Sequence, residues 1–89
     1  MAVLRIDGFL REFGPPAQGS TSQDSVSGLV EELELRYPRL RSKLRDEAGE
    51  LRRYVRIFVN GEDIRNGAGL ATALRGTDEV EILHSIQGG

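Results

Sequence analysis

The sequence predicts an α+β domain, a mixed four- to five-stranded sheet with one main helix across one face. Two period-2 stretches and one helical stripe carry that expectation. Val80, Ile82 and His84 alternate with Glu81, Leu83 and Ser85, and Val55, Ile57 and Val59 alternate with Arg56 and Phe58, so each stretch reads as a strand with two different faces. Val26, Leu29, Val30, Leu33 and Tyr37 recur at helical spacing along a single stripe. A helix with one apolar stripe must bury it against something flat, and a sheet is the economical partner.

The 89 residues make one domain, able to bury roughly 60 to 65% of its unfolded surface. The absence of cysteine excludes disulfides, a CxxC redox pair and a thiol nucleophile. The single histidine, His84, excludes a His-rich metal site, so no metal ligand set is expected. No apolar run approaches the roughly 18 residues that span a bilayer, and the N-terminus lacks a basic-then-apolar signal pattern. The expectation is a soluble, cytoplasmic protein with no membrane partner.

The net charge of −2 conceals an uneven distribution. From Arg36 to Arg56 eight basic residues stand against three acids, Asp46, Glu47 and Glu50. Such clustering can mark a nucleic-acid face. Its aromatic residues, Tyr37 and Tyr54, stand near its two ends rather than among the basic residues between them, and no nucleic-acid motif accompanies it, so it reads as a solvated connector.

Taken in order, Ala2, Leu4 and Ile6 share one face of a first strand, with Val3 and Arg5 on the other. Asp7 and Gly8 break or bulge it, and Phe9 and Leu10 continue as an apolar run toward Phe13. Gly14, Pro15 and Pro16 form a turn. The small polar stretch from Ala17 to Gln23 is a weak edge strand, expected only as a hairpin partner for the first. Asp24 or Ser25 offers a helix N-cap, and Pro38 ends the helix after about three turns.

Leu40 and Leu44 suggest a short helical turn, and Asp46 to Glu50 an exposed loop whose glycine permits mobility. Tyr54 to Asn60 is a strand, Asn60-Gly61 a tight hairpin turn because both residues tolerate positive φ, and Glu62 to Arg65 a short return strand. Leu70, Ala73 and Leu74 form an apolar turn before the final strand. The expected core is Leu4, Ile6, Val26, Leu29, Leu33, Val55, Ile57, Val59, Leu74, Val80 and Ile82, with the first and last strands side by side in the middle.

The final strand leads into Ser85, Ile86, Gln87, Gly88 and Gly89. Residues 1–85 form the expected folded body and 86–89 a flexible tail. Glycine lets another protein's walls approach the backbone closely, so such an end can be threaded into a narrow active site. It also fits a frayed terminus. His84 and the pair Glu62/Asp63 make no acid–base constellation, because a lone histidine lacks a partner and adjacent strand residues point to opposite faces. No catalytic residue is expected.

The run Val55-Arg56-Ile57-Phe58-Val59-Asn60-Gly61-Glu62-Asp63-Ile64-Arg65 resembles the ubiquitin-like sulfur carriers. So do the Gly69-Leu70 turn, Gly76-Thr77-Asp78-Glu79-Val80 and terminal Gly88-Gly89. That family includes the small subunit of molybdopterin synthase and the thiamine-pathway carrier. The likeness is greatest to the cysteine-biosynthesis sulfur carrier; it covers most of the chain from Ser25 onward and is weak from Gly14 to Gln23. The resemblance implies a β-grasp fold. It further implies a protein that is not itself an enzyme and binds no cofactor, but whose Gly89 carboxylate is adenylated by an ATP-dependent activating enzyme. Sulfur then replaces AMP, and the resulting thiocarboxylate serves a sulfur-accepting biosynthetic enzyme.

On the sheet face away from the helix, alternation groups Phe58 and Leu83, with Val3 nearby and Arg5, Arg56 and Glu81 around them. Phe58, Leu83 and Ile86, with Arg56 beside them, are the expected docking patch for the activating enzyme, and Gln87, Gly88 and Gly89 the segment that enters its site. The four residues from Ile86 span roughly 13 Å when extended. Covalent tagging of lysines through Gly89, and a non-covalent ubiquitin-like binding module, remain as alternatives. A monomer forming transient complexes is expected.

Overall fold

Ten buried aliphatic side chains from a helix and three strands meet between two layers in the computed structural model, which describes residues 1–84. Ile86, Gln87, Gly88 and Gly89, and with them the expected tail and its boundary, lie outside the described residues. Strand β1 (Ala2–Ile6) is followed by a one-turn helix α1 (Gly8–Arg11), strand β2 (Gln18–Thr21) and the main helix α2 (Val26–Arg36). A 3-10 turn at Pro38–Leu40 leads into the short helix α3 (Arg41–Leu44). Strands β3 (Val55–Val59), β4 (Glu62–Asp63) and β5 (Glu79–His84) complete the chain, with 3-10 turns at Ile64–Asn66 and Gly69–Ala71 between the last two.

The sheet order is β2-β1-β5-β3-β4, so the first and last strands lie side by side at its centre, as expected. They run parallel, with Leu4 opposite Val80 and Ile6 opposite Ile82. Strand β3 pairs antiparallel with β5, Ile57 opposite Ile82 and Val59 opposite Val80. In-register alternation therefore puts Leu4, Ile6, Val55, Ile57, Val80 and Ile82 on one face, and α2 lays Val26, Leu29, Val30 and Leu33 over them. Each such side chain, fully buried, stabilises the fold by about 1.5–3 kcal/mol.

Local chemistry fixes the ends of these elements. The Ser25 hydroxyl accepts from the Gly28 N–H at 3.0 Å and is the N-cap of α2. At the other end Pro38 opens a 3-10 turn instead of continuing the helix. Asn60 and Gly61, with φ of 52° and 84°, form the two-residue hairpin between β3 and β4. Gly14 has φ 124°, and a Cβ there would lie 2.8 Å from the Tyr37 ring, so the turn after α1 requires glycine.

Several expectations change, among them the return strand, which ends at Asp63 where Ile64–Asn66 turns as a 3-10 helix. Asp7 and Gly8 do not simply break β1: the Asp7 side chain caps α1, and Leu10 is wholly buried in the core. Leu40 and Leu44 are buried as well, so the basic connector is a lid on the core. Its loop is tied down, Asp46 Oδ1 accepting from Ala48 and Glu50 N–H groups at 2.9 and 3.0 Å. Val59 is half-buried, since it sits where the sheet narrows to the hairpin, and Ile64 takes a place in the core instead. Glu34, buried on α2, pairs with Arg45 and anchors the connector to the helix.

No helix among the described residues is long and apolar enough to cross a membrane. Ile57→Ala should lower unfolding free energy by about 2–5 kcal/mol in urea titration, because the site is enclosed on all sides. Leu35→Ala, on the exposed side of α2, should change it by less than about 0.5 kcal/mol.

Candidate functional site

Strand alternation at the end of β5 sends successive side chains to opposite faces of the sheet, Leu83 to the outer face and His84 to the helix side. The residues that follow thus start from a border between two surfaces.

On the outer face, Arg56 pairs across the ladder with Leu83, and Phe58 with Glu81. Leu83 is exposed and Phe58 half-buried. The Arg56 guanidinium carbon lies 5.7 Å from the centre of the Phe58 ring. Asp63 on β4 holds that guanidinium in place, its Oδ2 accepting from Arg56 Nε at 3.1 Å and Nη2 at 2.8 Å. Its other oxygen accepts the Arg65 N–H at 2.9 Å and caps the 3-10 turn. Glu62 and Asp63 thus have different environments, Glu62 exposed at the hairpin and Asp63 buried in an ion pair.

The Arg65 backbone N–H, and secondarily the Arg56 guanidinium, hold the Asp63 carboxyl below the usual carboxylate range against the opposing effect of burial. Phe58 is thus covered in part by the Arg56 guanidinium. Val3 is not beside the patch: it pairs with Glu79, at the far end of the face from Leu83, and Arg5 there bonds Glu79 at 3.1 Å.

On the helix side, the His84 ring stacks on Phe9 at 4.0 Å between centres and tilts against Tyr54 at 4.8 Å. Phe9 packs edge-on against Phe13 at 5.6 Å, and Phe13 has Arg39 and Lys43 at 5.5 and 5.2 Å from its ring. The His84 backbone N–H donates to Asp7 Oδ2 at 2.6 Å. His84 Nδ1 is buried without a hydrogen-bond partner among the described residues. The ring's role is packing.

Sequence patterning brought Arg56, Phe58 and Leu83 together correctly. It missed Asp7, Phe9 and Phe13. The i, i+4 spacing of the two phenylalanines after an aspartate N-cap was the available signal. Among the described residues, no group of His, Asp and Glu is arranged to hold a metal ion.

The sequence profile of the ThiS family matches residues 7–89. The sulfur carrier protein CysO of Mycobacterium tuberculosis is 40% identical over 72 residues, which span 79% of this chain and 77% of that protein. A chain in the crystal structure of the Amycolatopsis orientalis BexX/CysO complex superposes with a TM-score of 0.86 at 26% identity, over 100% of both chains. The solution structure of small archaeal modifier protein 1 from Methanosarcina acetivorans gives 0.84 at 30% identity, covering 99% of this chain and 95% of that one. The five-stranded mixed sheet under a helix is the β-grasp, ubiquitin-like fold.

Asp63 also makes the outer face sensitive to acid. Its contribution to stability is complete above the unfolded carboxylate pKa, near pH 4, and is lost as pH falls through its lower folded value. Asp63→Asn should therefore be less stable than the wild type at neutral pH and show a flatter decline of melting temperature below about pH 4, checked by thermal unfolding across pH.

Proposed function

The chain belongs to the ThiS family, and from that membership we propose that it is a sulfur carrier, a protein that carries cargo on Gly89 rather than a catalyst. In this reading a carboxylate oxygen of Gly89 attacks the α-phosphorus of ATP in an activating enzyme, and pyrophosphate leaves. A sulfur nucleophile then attacks the acyl carbon and AMP departs, leaving a thiocarboxylate. ATP belongs to the partner; this chain binds no cofactor of its own. A carboxylate is a poor electrophile, and adenylation supplies the leaving group it lacks. The thiocarboxylate sulfur is then a nucleophile toward an electrophilic substrate in a sulfur-accepting biosynthetic enzyme, displacing that substrate's leaving group. Water hydrolyses the resulting acyl adduct to release the sulfur-bearing product and regenerate the carboxylate. The setting proposed for these steps is the cytoplasm.

The observation that carries this reading is the position of β5. It lies between β1 and β3 at the centre of the sheet, so the residues after His84 start from an element bonded on both sides. Gly88 and Gly89 add no side chain to a segment that must enter an enclosed site. For docking we assign Leu83 and Phe58, with Arg56 at their edge and Ile86 and Gln87 continuing toward the terminus. An exposed leucine beside a half-buried phenylalanine gives a small apolar contact.

Transfer to a lysine amine is the second reading, favoured by the likeness to the archaeal modifier protein, and it would proceed through the same acyl-adenylate. Intact mass after incubation with the activating enzyme, ATP and sulfide separates the two. Replacement of one carboxylate oxygen by sulfur supports the carrier, and adducts to lysine the modifier. Deletion of Gly89 should abolish both. Phe58→Ala and Arg56→Glu should each raise the KM for thiocarboxylate formation by about tenfold, the effect of losing one well-packed contact. Unchanged KM in both would remove the docking assignment.

A further inference from the structure

Parallel strands bond by a fixed rule: alternate residues of one strand donate to a residue of the other and accept from the residue two places further on. Strand β1 follows it against β5. The Val3 N–H donates to the Asp78 carbonyl at 3.0 Å, and the Asp7 N–H to the Ile82 carbonyl at 3.2 Å. The next rung requires the His84 N–H to reach the Asp7 carbonyl. That carbonyl is already committed, since it accepts the Arg11 N–H at 3.1 Å as the chain turns into α1. The Asp7 carboxylate takes the rung in its place. Its Oδ2 accepts from His84 at 2.6 Å, while Oδ1 accepts the Leu10 N–H at 3.1 Å.

We propose that Asp7 is a positioning residue for the reaction at Gly89, its carboxylate standing in for a backbone carbonyl to lock the last rung of β5 before the terminal segment. The proposal rests on the carrier reading and deepens it. On one side His84 is paired with Val55 of β3. On the other, β1 has already left the sheet, and among the described residues the Asp7 carboxylate takes the backbone hydrogen bond there. Phe9, set by the same aspartate through α1, closes over the His84 ring. His84 is the last described residue, so the rung fixes the point from which the five residues to Gly89 must deliver the reacting carboxylate, and loosening it spreads the positions from which delivery starts. A displacement of about 1 Å at a reacting atom can cost about a hundredfold in rate.

The experiment separates the rung from the helix cap. In Asp7→Ser the short hydroxyl still caps α1 but cannot also reach His84, and Asp7→Asn likewise keeps a strong cap while having one oxygen for two N–H donors. Both proteins should melt within about 5 °C of wild type. Amide exchange at His84 should rise by about tenfold or more, the weight of one hydrogen bond to a charged acceptor. With the cognate activating enzyme, ATP and sulfide, kcat for thiocarboxylate formation should fall by about tenfold while KM stays within about twofold, a split expected of misplacement rather than weaker docking. Phe58→Ala should do the reverse, raising KM without changing His84 exchange. Unchanged His84 exchange in both Asp7 variants overturns the proposal, as does raised exchange with unchanged kcat. A wild-type protein that is never loaded overturns the carrier reading and this proposal with it; a loaded wild type beside unaffected variants overturns this proposal alone.

Discussion

The parallel pairing of β1 with β5 is the contact on which the rest of the architecture depends. It joins the first strand of the chain to the last, at the cost of closing a loop through almost the whole sequence before any of its bonds can form. Once made, it sets both neighbours: β2 can add only beside β1, and β3 only beside β5. It also creates the continuous apolar strip of Leu4, Ile6, Val80 and Ile82 that α2 needs in order to bury its stripe. A slip of one residue in this register would turn Glu79 and Glu81 toward the core. The same pairing keeps the last strand from being an edge strand, so the described residues end, at His84, on a strand at the centre of the sheet.

What surrounds that end differs on its two sides for a reason that begins in the pleat. Leu83 and the Arg56, Phe58 and Asp63 group belong to the open face, where apolar atoms are shielded by a guanidinium fixed in an ion pair. His84, Phe9, Tyr54 and Phe13 belong to the helix side, where the end of the two-layer core is plugged by rings. Arg39 and Lys43 close that plug from outside through the Phe13 ring, so part of the basic connector is engaged in covering aromatic surface.

Much of this was legible in the sequence wherever one physical period governed a segment. The alternation in 55–59 and 79–84, the stripe in 26–37 and the Asn60-Gly61 turn each followed from local rules, and the central pairing of the first and last strands followed from burying them together. The edge strand was correctly placed although Gln18, Gly19 and Ser20 carry no pattern, because the first strand needed a partner. Segments that failed were those whose structure is decided elsewhere in the chain. Asp7-Gly8 has the composition of a strand break; only the nearness of His84, distant in sequence, makes its carboxylate part of the sheet. Leu40 and Leu44 were hidden among arginines that point outward while the leucines seal the core. In the candidate site, alternation put Phe58 on the outer face but could not foresee Arg56 lying over it, since that depends on Asp63 across the hairpin. The positions of Ile86 to Gly89 lie beyond the described residues.

The Arg56–Asp63 pin has a consequence for how a carrier meets its partners. A partner that used all of Phe58 would have to displace a guanidinium bonded twice to a buried carboxylate, and the displaced Asp63 would then need a new donor. Binding that instead leaves the pin in place gains only Leu83 and the uncovered part of the ring. Either route keeps the surplus of binding energy small, because apolar gain is offset by polar rearrangement or limited in area. Small surplus means fast dissociation, since affinity among related complexes is set mainly by the off-rate. A protein proposed to be loaded by one enzyme and emptied by another must leave the first before reaching the second. On the proposed docking, the ion pair that shields Phe58 in the free protein limits what either partner gains from this face.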